Sequence, residues 1–175
     1  MTALQATSFA GSGSACYNRP VGIEIERKFL VKNDSWRLHA GTGMFYRQGY
    51  VASDETGLVR VSLTVDQSWL TIKRAQSPLR RLEYEYPLPR DDAEEMFREV
   101  CLSGQIQKQR YRIPHAGHVW EVDVFEAENA GLVVAEIELS EEGETFERPD
   151  WLGKEISTDS RYFAMNLARH PYTIW

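Results

Sequence analysis

Apolar and polar residues alternate in short runs along most of this chain, and charge sits repeatedly on one of the two alternating sets. In 23–31, Glu24, Glu26 and Lys28 share one parity, and Ile25, Arg27 and Phe29 take the other. Successive side chains of a strand point to opposite faces, so this pattern predicts a strand with one charged face. The same period predicts strands over 44–51, 57–65, 68–74, 80–87, 106–113, 118–126 and 132–139. A turn near Gln76-Ser77-Pro78 joins the fourth and fifth. From Asp91 to Leu102 the period changes. Ala93, Met96, Phe97, Val100 and Cys101 recur at helical spacing, with Asp91 or Asp92 as the cap. Residues 145–155, around Pro149 and Gly153, read as a loop. Ser157 or Thr158 is placed to cap a last helix over about 159–169, with Tyr162, Phe163, Asn166 and Leu167 near one face.

The charged parity recurs from strand to strand. Glu83 and Glu85, with Arg81, oppose Leu82, Tyr84 and Tyr86. Lys108, Arg110 and Arg112 oppose Gln109, Tyr111 and Ile113. Glu121 and Asp123 oppose Val122 and Val124, and Glu136 and Glu138 oppose Ile137 and Leu139. Arg60 and Lys73 likewise stand against aliphatic neighbours. A solvated outer face explains any single strand of this kind. Eight of them favour an α+β, mainly β fold: an eight-stranded antiparallel closed barrel with a charged lumen, helices packed outside and a C-terminal helix. Closure also removes the edges that short strands otherwise expose. Buried ion pairs are seldom more stable than an apolar core, so a lumen that keeps this many charges points to function. Acidic pairs suit a hard divalent cation, and arginine forks suit phosphate oxygens. Together they point to a metal-chelated polyphosphate.

Composition sets limits on this picture. The chain has 175 residues, 42% hydrophobic and 26% charged, with a formal net charge of -6. That charge argues against a nucleic-acid coat or a membrane-surface protein, so no nucleic acid and no membrane are expected as partners. No apolar run approaches the roughly 18 residues that span a bilayer. Residues 1–20 are small and polar and read as a disordered lead-in, leaving 21–175 as a single domain. Cys16 and Cys101 make no disulfide framework, and cytoplasmic residence is the default. The tryptophans are scattered and fit packing, except Trp69, which is in phase with Lys73. The four histidines lack ligand spacing and fit the surface, and the acidic run 141–147 fits a solvated loop.

Glu24-Ile-Glu-Arg-Lys28 resembles the ExExK signature of the CYTH superfamily, the triphosphate tunnel metalloenzymes. The resemblance continues through Arg47-Gln-Gly-Tyr50, Leu70-Thr-Ile-Lys73, Arg81-Leu-Glu-Tyr-Glu85, Lys108-Gln-Arg-Tyr111, Val122-Asp-Val-Phe125, Ala135-Glu-Ile-Glu-Leu139, Trp151-Leu-Gly153 and Asp159-Ser-Arg-Tyr162. It implies hydrolysis of inorganic triphosphate to pyrophosphate and phosphate with Mg2+ or Mn2+, most like the compact bacterial members, and a monomer or homodimer. By position it implies Glu24, Glu26, Asp123, Glu136 and Glu138 as metal ligands, and Glu83 and Glu85 as further acidic groups that orient water. Lys28, Arg60, Lys73, Arg81, Lys108, Arg110 and Arg161 become substrate contacts, with Lys108 the most rate-critical cation. Three positions depart from the family's pattern: Ser62 where a second arginine is frequent, Ser157 for threonine, and Ala164 for asparagine. A nucleoside or thiamine triphosphatase, a class IV-type adenylyl cyclase and a non-catalytic polyphosphate-binding module are the competing expectations.

Overall fold

The computed structural model describes residues 22–54, 57–102 and 104–175, so the expected lead-in of 1–20 lies outside it. The strands are β1 (Glu24–Val31), β2 (Met44–Ser53), β3 (Gly57–Leu63), β4 (Ser68–Ala75), β5 (Arg80–Pro87), β6 (Gln105–His115), β7 (His118–Phe125), β8 (Val133–Glu138) and β9 (Leu152–Glu155). Two α-helices, α1 (Arg90–Glu99) and α2 (Ala164–Arg169), complete the framework. The order β5-β4-β3-β2-β6-β7-β8-β1, with β5 also paired to β1, closes an eight-stranded ring. Every pairing in it is antiparallel. Closure rests on Glu24 opposite Arg81 and Ile25 opposite Arg80. Further along β1 the neighbour is β9, which sets Glu155 opposite Phe29 and Leu152 opposite Val31.

Aliphatic residues face outward and are covered by the connecting segments. One cluster joins Ile25, Phe29, Ile113, Trp120, Val122, Ala135 and Ile137 of the ring to Trp36 and Trp151 of the flanking loops. Trp120 meets Trp151 edge-on, with ring centroids 5.6 Å apart. A second lies under α1, where Ala93 and Phe97 cover Val61 and Leu63. Arg47, the one charged residue of β2, points outward to α1. It pairs with Glu94 at 3.3 Å, and its guanidinium lies 4.1 Å from the Phe97 ring centre. Among the described residues, part of the outer wall has no cover, leaving Ile72, Tyr84 and Tyr86 exposed.

A third cluster closes one end of the ring. Tyr50, Ile106, Phe125, Leu132 and Val134 meet Leu167 and Ala168 of α2 there, with Leu30 and Leu58 against them. Register puts Tyr50 on the face of Arg60, Phe125 on that of Lys108, and Leu30 on that of Val134. The apolar plug therefore fills the inside of the barrel, and the charged lumen begins one pleat beyond it.

Three local expectations change. Residues 145–155 are not wholly loop, because β9 forms there against β1. The last helix is split into a 3-10 turn (Ser160–Tyr162) and α2, separated by extended backbone at Phe163. Neither Ser157 nor Thr158 caps it. The Asp159 carboxylate accepts from Arg161 N instead, while Ser157 Oγ accepts from the Lys28 amide at 2.9 Å. In α1, Pro89 holds the cap position, and Asp91 and Asp92 sit in the first turn, where they favour the helix dipole.

Gly104 fixes how closely α2 approaches the barrel. Its φ is +92°, and a Cβ there meets the Ala168 carbonyl oxygen at 1.9 Å. Gly104→Ala adds left-handed strain and forces α2 off the plug, so it destabilises the protein by about 2 kcal/mol or more. A lower melting temperature together with faster proteolysis of the C-terminal segment checks this.

Candidate active site: a charged tunnel

The inward parity gathers the predicted charges into one lumen. Lys28 Nζ lies between Glu26 and Glu136 and pairs with both. Lys73 Nζ lies between Glu24, at 2.7 Å, and Glu83, at 3.3 Å. Arg81 reaches Glu24 and Glu26, each at 3.2 Å. Lys108 pairs with Asp123 at 2.5 Å, and Arg110 reaches Asp123 at 2.6 Å, Glu136 at 2.8 Å and also Glu121. Of the predicted site residues, all but Arg60, Glu85, Glu138 and Arg161 take part in these pairs, and Arg60 lies on the same face. Glu85 and Glu138 belong to the same parity but are exposed, Glu85 accepting from Thr71 at 3.2 Å. Arg161 stands apart on the outside. It is exposed, pairs with Asp159 at 2.6 Å and stacks on Trp175. Arg112, in phase with Arg110, is exposed beyond the paired cations.

Depth in the lumen follows from the plug. One pleat away from its inward residues come Lys28, Gln48, Arg60, Lys108, Asp123 and Glu136. This floor layer carries three cations against two carboxylates. Arg60 makes no ion pair among the described residues, reaching instead the hydroxyl of buried Tyr50. Its Nε is buried with no partner.

Protonation follows from burial against pairing. Burial disfavours the Glu136 carboxylate, but Lys28, Arg110 and Lys108 outweigh that and hold its pKa well below the usual range. Burial also opposes the Lys28 ammonium, yet Glu136 and Glu26 raise its pKa. Lys108 moves the other way. Burial first, then Arg110, lower its pKa despite the Asp123 pair.

Charge parity overlooks the neutral part of the lining. Tyr46, Gln48 and Tyr50 of β2 share the inward face, opposite Lys108, Ser62 and Arg60. The signal lay in their alternation with Arg47, Gly49 and Val51, which a search for charge passes over. Ser62 is buried and accepts a hydrogen bond from Gln48. Trp69 stacks nearly parallel to Tyr46, at 6.4 Å and 17°.

Among the described residues, no three acidic, histidine or cysteine side chains converge as a cation cage. The donor chemistry nevertheless suits a hard cation. Glu26 with Glu136, and Glu24 with Glu83, each embrace a lysine ammonium, so these carboxylate oxygens already bracket positive charge.

A closed barrel with ion pairs inside and aliphatic residues outside defines a charged-tunnel protein. The CYTH domain model matches residues 22–172, and the chain belongs to that family. It is 44% identical over 152 residues to an inorganic triphosphatase of Acetivibrio thermocellus, covering 87% of this chain and 97% of that one. It is 33% identical over 151 residues to an inorganic triphosphatase of Nitrosomonas europaea, covering 83% and 96%. The crystal structure of the inorganic triphosphatase NE1496 superposes with a TM-score of 0.60 at 28% identity, over 83% of this chain and 93% of that one.

Because Glu136 is held ionised, its contribution to stability is fully present above the ordinary glutamate pKa, about 4.3. It is lost as pH falls from there toward the lower folded value. The stability gap between the native protein and Glu136→Gln is therefore widest above about pH 5 and narrows toward about pH 3. Urea unfolding across that range measures it.

Proposed function

We propose that this protein hydrolyses inorganic triphosphate to pyrophosphate and phosphate inside the tunnel, using Mg2+ or Mn2+. The observation that carries this reading is the floor layer, where cations outnumber carboxylates and Arg60 has no carboxylate of its own among the described residues. The family and the two inorganic triphosphatases it resembles along nearly their whole length support it. The plug leaves one end for entry, so an extended polyanion enters end-on. Arg60, Lys28 and Lys108 take its leading phosphoryl group, and Arg110, Lys73 and Arg81 take the oxygens behind it.

Oxygens of Glu24, Glu26, Asp123, Glu136 and Glu138 would hold a divalent cation, which would neutralise phosphate charge and acidify the attacking water. The protein's own groups do the rest. Glu83 and Glu85 orient the water and accept its proton as its oxygen bonds to the phosphorus of the leading phosphoryl group and the P–O bond to the leaving pyrophosphate breaks. Lys108 and Arg110 meet the charge that develops on the transferred group, in a lumen from which α2 excludes water on one side. Arg161 enters this scheme only from outside, as a guide for anions near the C-terminal segment.

A second reading keeps an organic triphosphate as substrate. The Tyr46–Trp69 stack offers an aromatic plane on the wall near Lys108, suited to a base or thiazole ring. Phosphate release from inorganic triphosphate, ATP and thiamine triphosphate, each with Mg2+, Mn2+ and chelator, separates the two. Metal-dependent release is expected to be fastest from inorganic triphosphate. Glu26→Gln lowers that release by about 100-fold or more. Arg60→Ala raises KM by about tenfold or more, the cost of a charge-assisted contact. Faster release from ATP or thiamine triphosphate overturns the inorganic assignment.

A further inference from the structure

The ion pairs account for most polar atoms of the lumen, but one neutral side chain in the floor keeps a polar atom with nothing to bond. Gln48 is 3% exposed and stands opposite Ser62, also 3% exposed. Gln48 Nε2 donates to Ser62 Oγ at 3.2 Å, and Gln48 Oε1 has no partner among the described residues. On its other side Gln48 faces Ile106, which offers no donor. Buried amides are normally bonded at both ends. This one is bonded at one end and shares the inward face of Arg60, whose Nε is likewise unpartnered. Two buried polar atoms without partners among the described residues, one pleat apart on the same wall and next to the plug, are placed to meet a polar ligand.

We propose that Gln48, held by Ser62, is a ligand-binding residue of the tunnel floor that contacts a non-bridging oxygen of the leading phosphoryl group. The proposal rests on the triphosphatase reading. Phosphate oxygens accept, so the amide must present its NH2. A half-turn of the amide exchanges its two ends. Ser62 Oγ–H then donates to Oε1, and Nε2 faces the ligand. Both side chains carry a donor and an acceptor, so the pair survives the exchange. Neutrality has a use here. A fourth cation in the floor would hold released phosphate as tightly as it holds substrate, and such uniform binding does not speed turnover. An amide adds direction without charge.

Gln48→Met, close in volume, removes only the polar end. Calorimetric titration of inorganic triphosphate in chelator compares it with the native protein, and melting of the ligand-free proteins gives the second readout. Gln48→Met is expected to weaken binding about tenfold while the free protein melts at or above the native temperature, because a buried unpartnered oxygen is gone. Gln48→Glu is expected to weaken binding further, increasingly so as pH rises through the new carboxyl's titration. Ser62→Ala, which leaves Gln48 in place but unheld, is expected to weaken binding about threefold. Native affinity in Gln48→Met and Ser62→Ala alike overturns the proposal, and a lower melting temperature with native affinity marks Gln48 as purely structural. Failure of the functional reading looks different: the native protein then releases no phosphate with any metal.

Discussion

Buried charge is the constraint from which the rest of this structure follows. A carboxylate or ammonium taken from water is costly unless it is paired at once. Among the described residues, each buried lysine and arginine of the lumen apart from Arg60 lies against one or more carboxylates. Putting charge inside sends the aliphatic parity outside, where it needs cover. The loops carrying Trp36 and Trp151 and the helix α1 supply that cover over much of the wall. The helices are accessories to a sheet that is turned inside out.

The pairing is also what keeps the lumen exchangeable. A phosphate chain competes with carboxylates for lysine and arginine, and a divalent cation competes with lysine and arginine for carboxylates. Bound together, they relieve both halves of the broken pairs. Either one bound alone leaves the other half unsatisfied. The network therefore favours taking up metal and polyanion as a unit, which is linkage between two ligands through shared partners.

Much of this was legible in the sequence, because strand parity is a strong signal when one face is wholly charged. The eight ring strands, the shared face of their charged residues and the helix after β5 followed from it. What escaped had physical reasons. β9 is four residues long and holds Gly153, so no alternation could show. The break at Phe163 depends on the bonds made by Asp159 and Ser157, which only the folded chain supplies. Gln48, Tyr46 and Tyr50 escaped because the inward face of β2 carries no charge. Arg161 was drawn toward the lumen by its place in a motif, but its nearest carboxylate, Asp159, is two residues away and holds it outside.

β1 has three neighbours: β8 along one edge, and β5 and then β9 along the other. Arg27 and Glu155, which tie that seam, are 128 positions apart in the chain. β1 leaves the ribosome long before β9 and must therefore wait for it before both of its edges are filled. Until then its carboxylates, Lys28 and its apolar outward face lie open to water and to other chains. Pairings of such long span form late and slowly. The lumen is thus assembled in the closing moments of folding, and a chain cut short before residue 152 leaves the ribosome with the seam open.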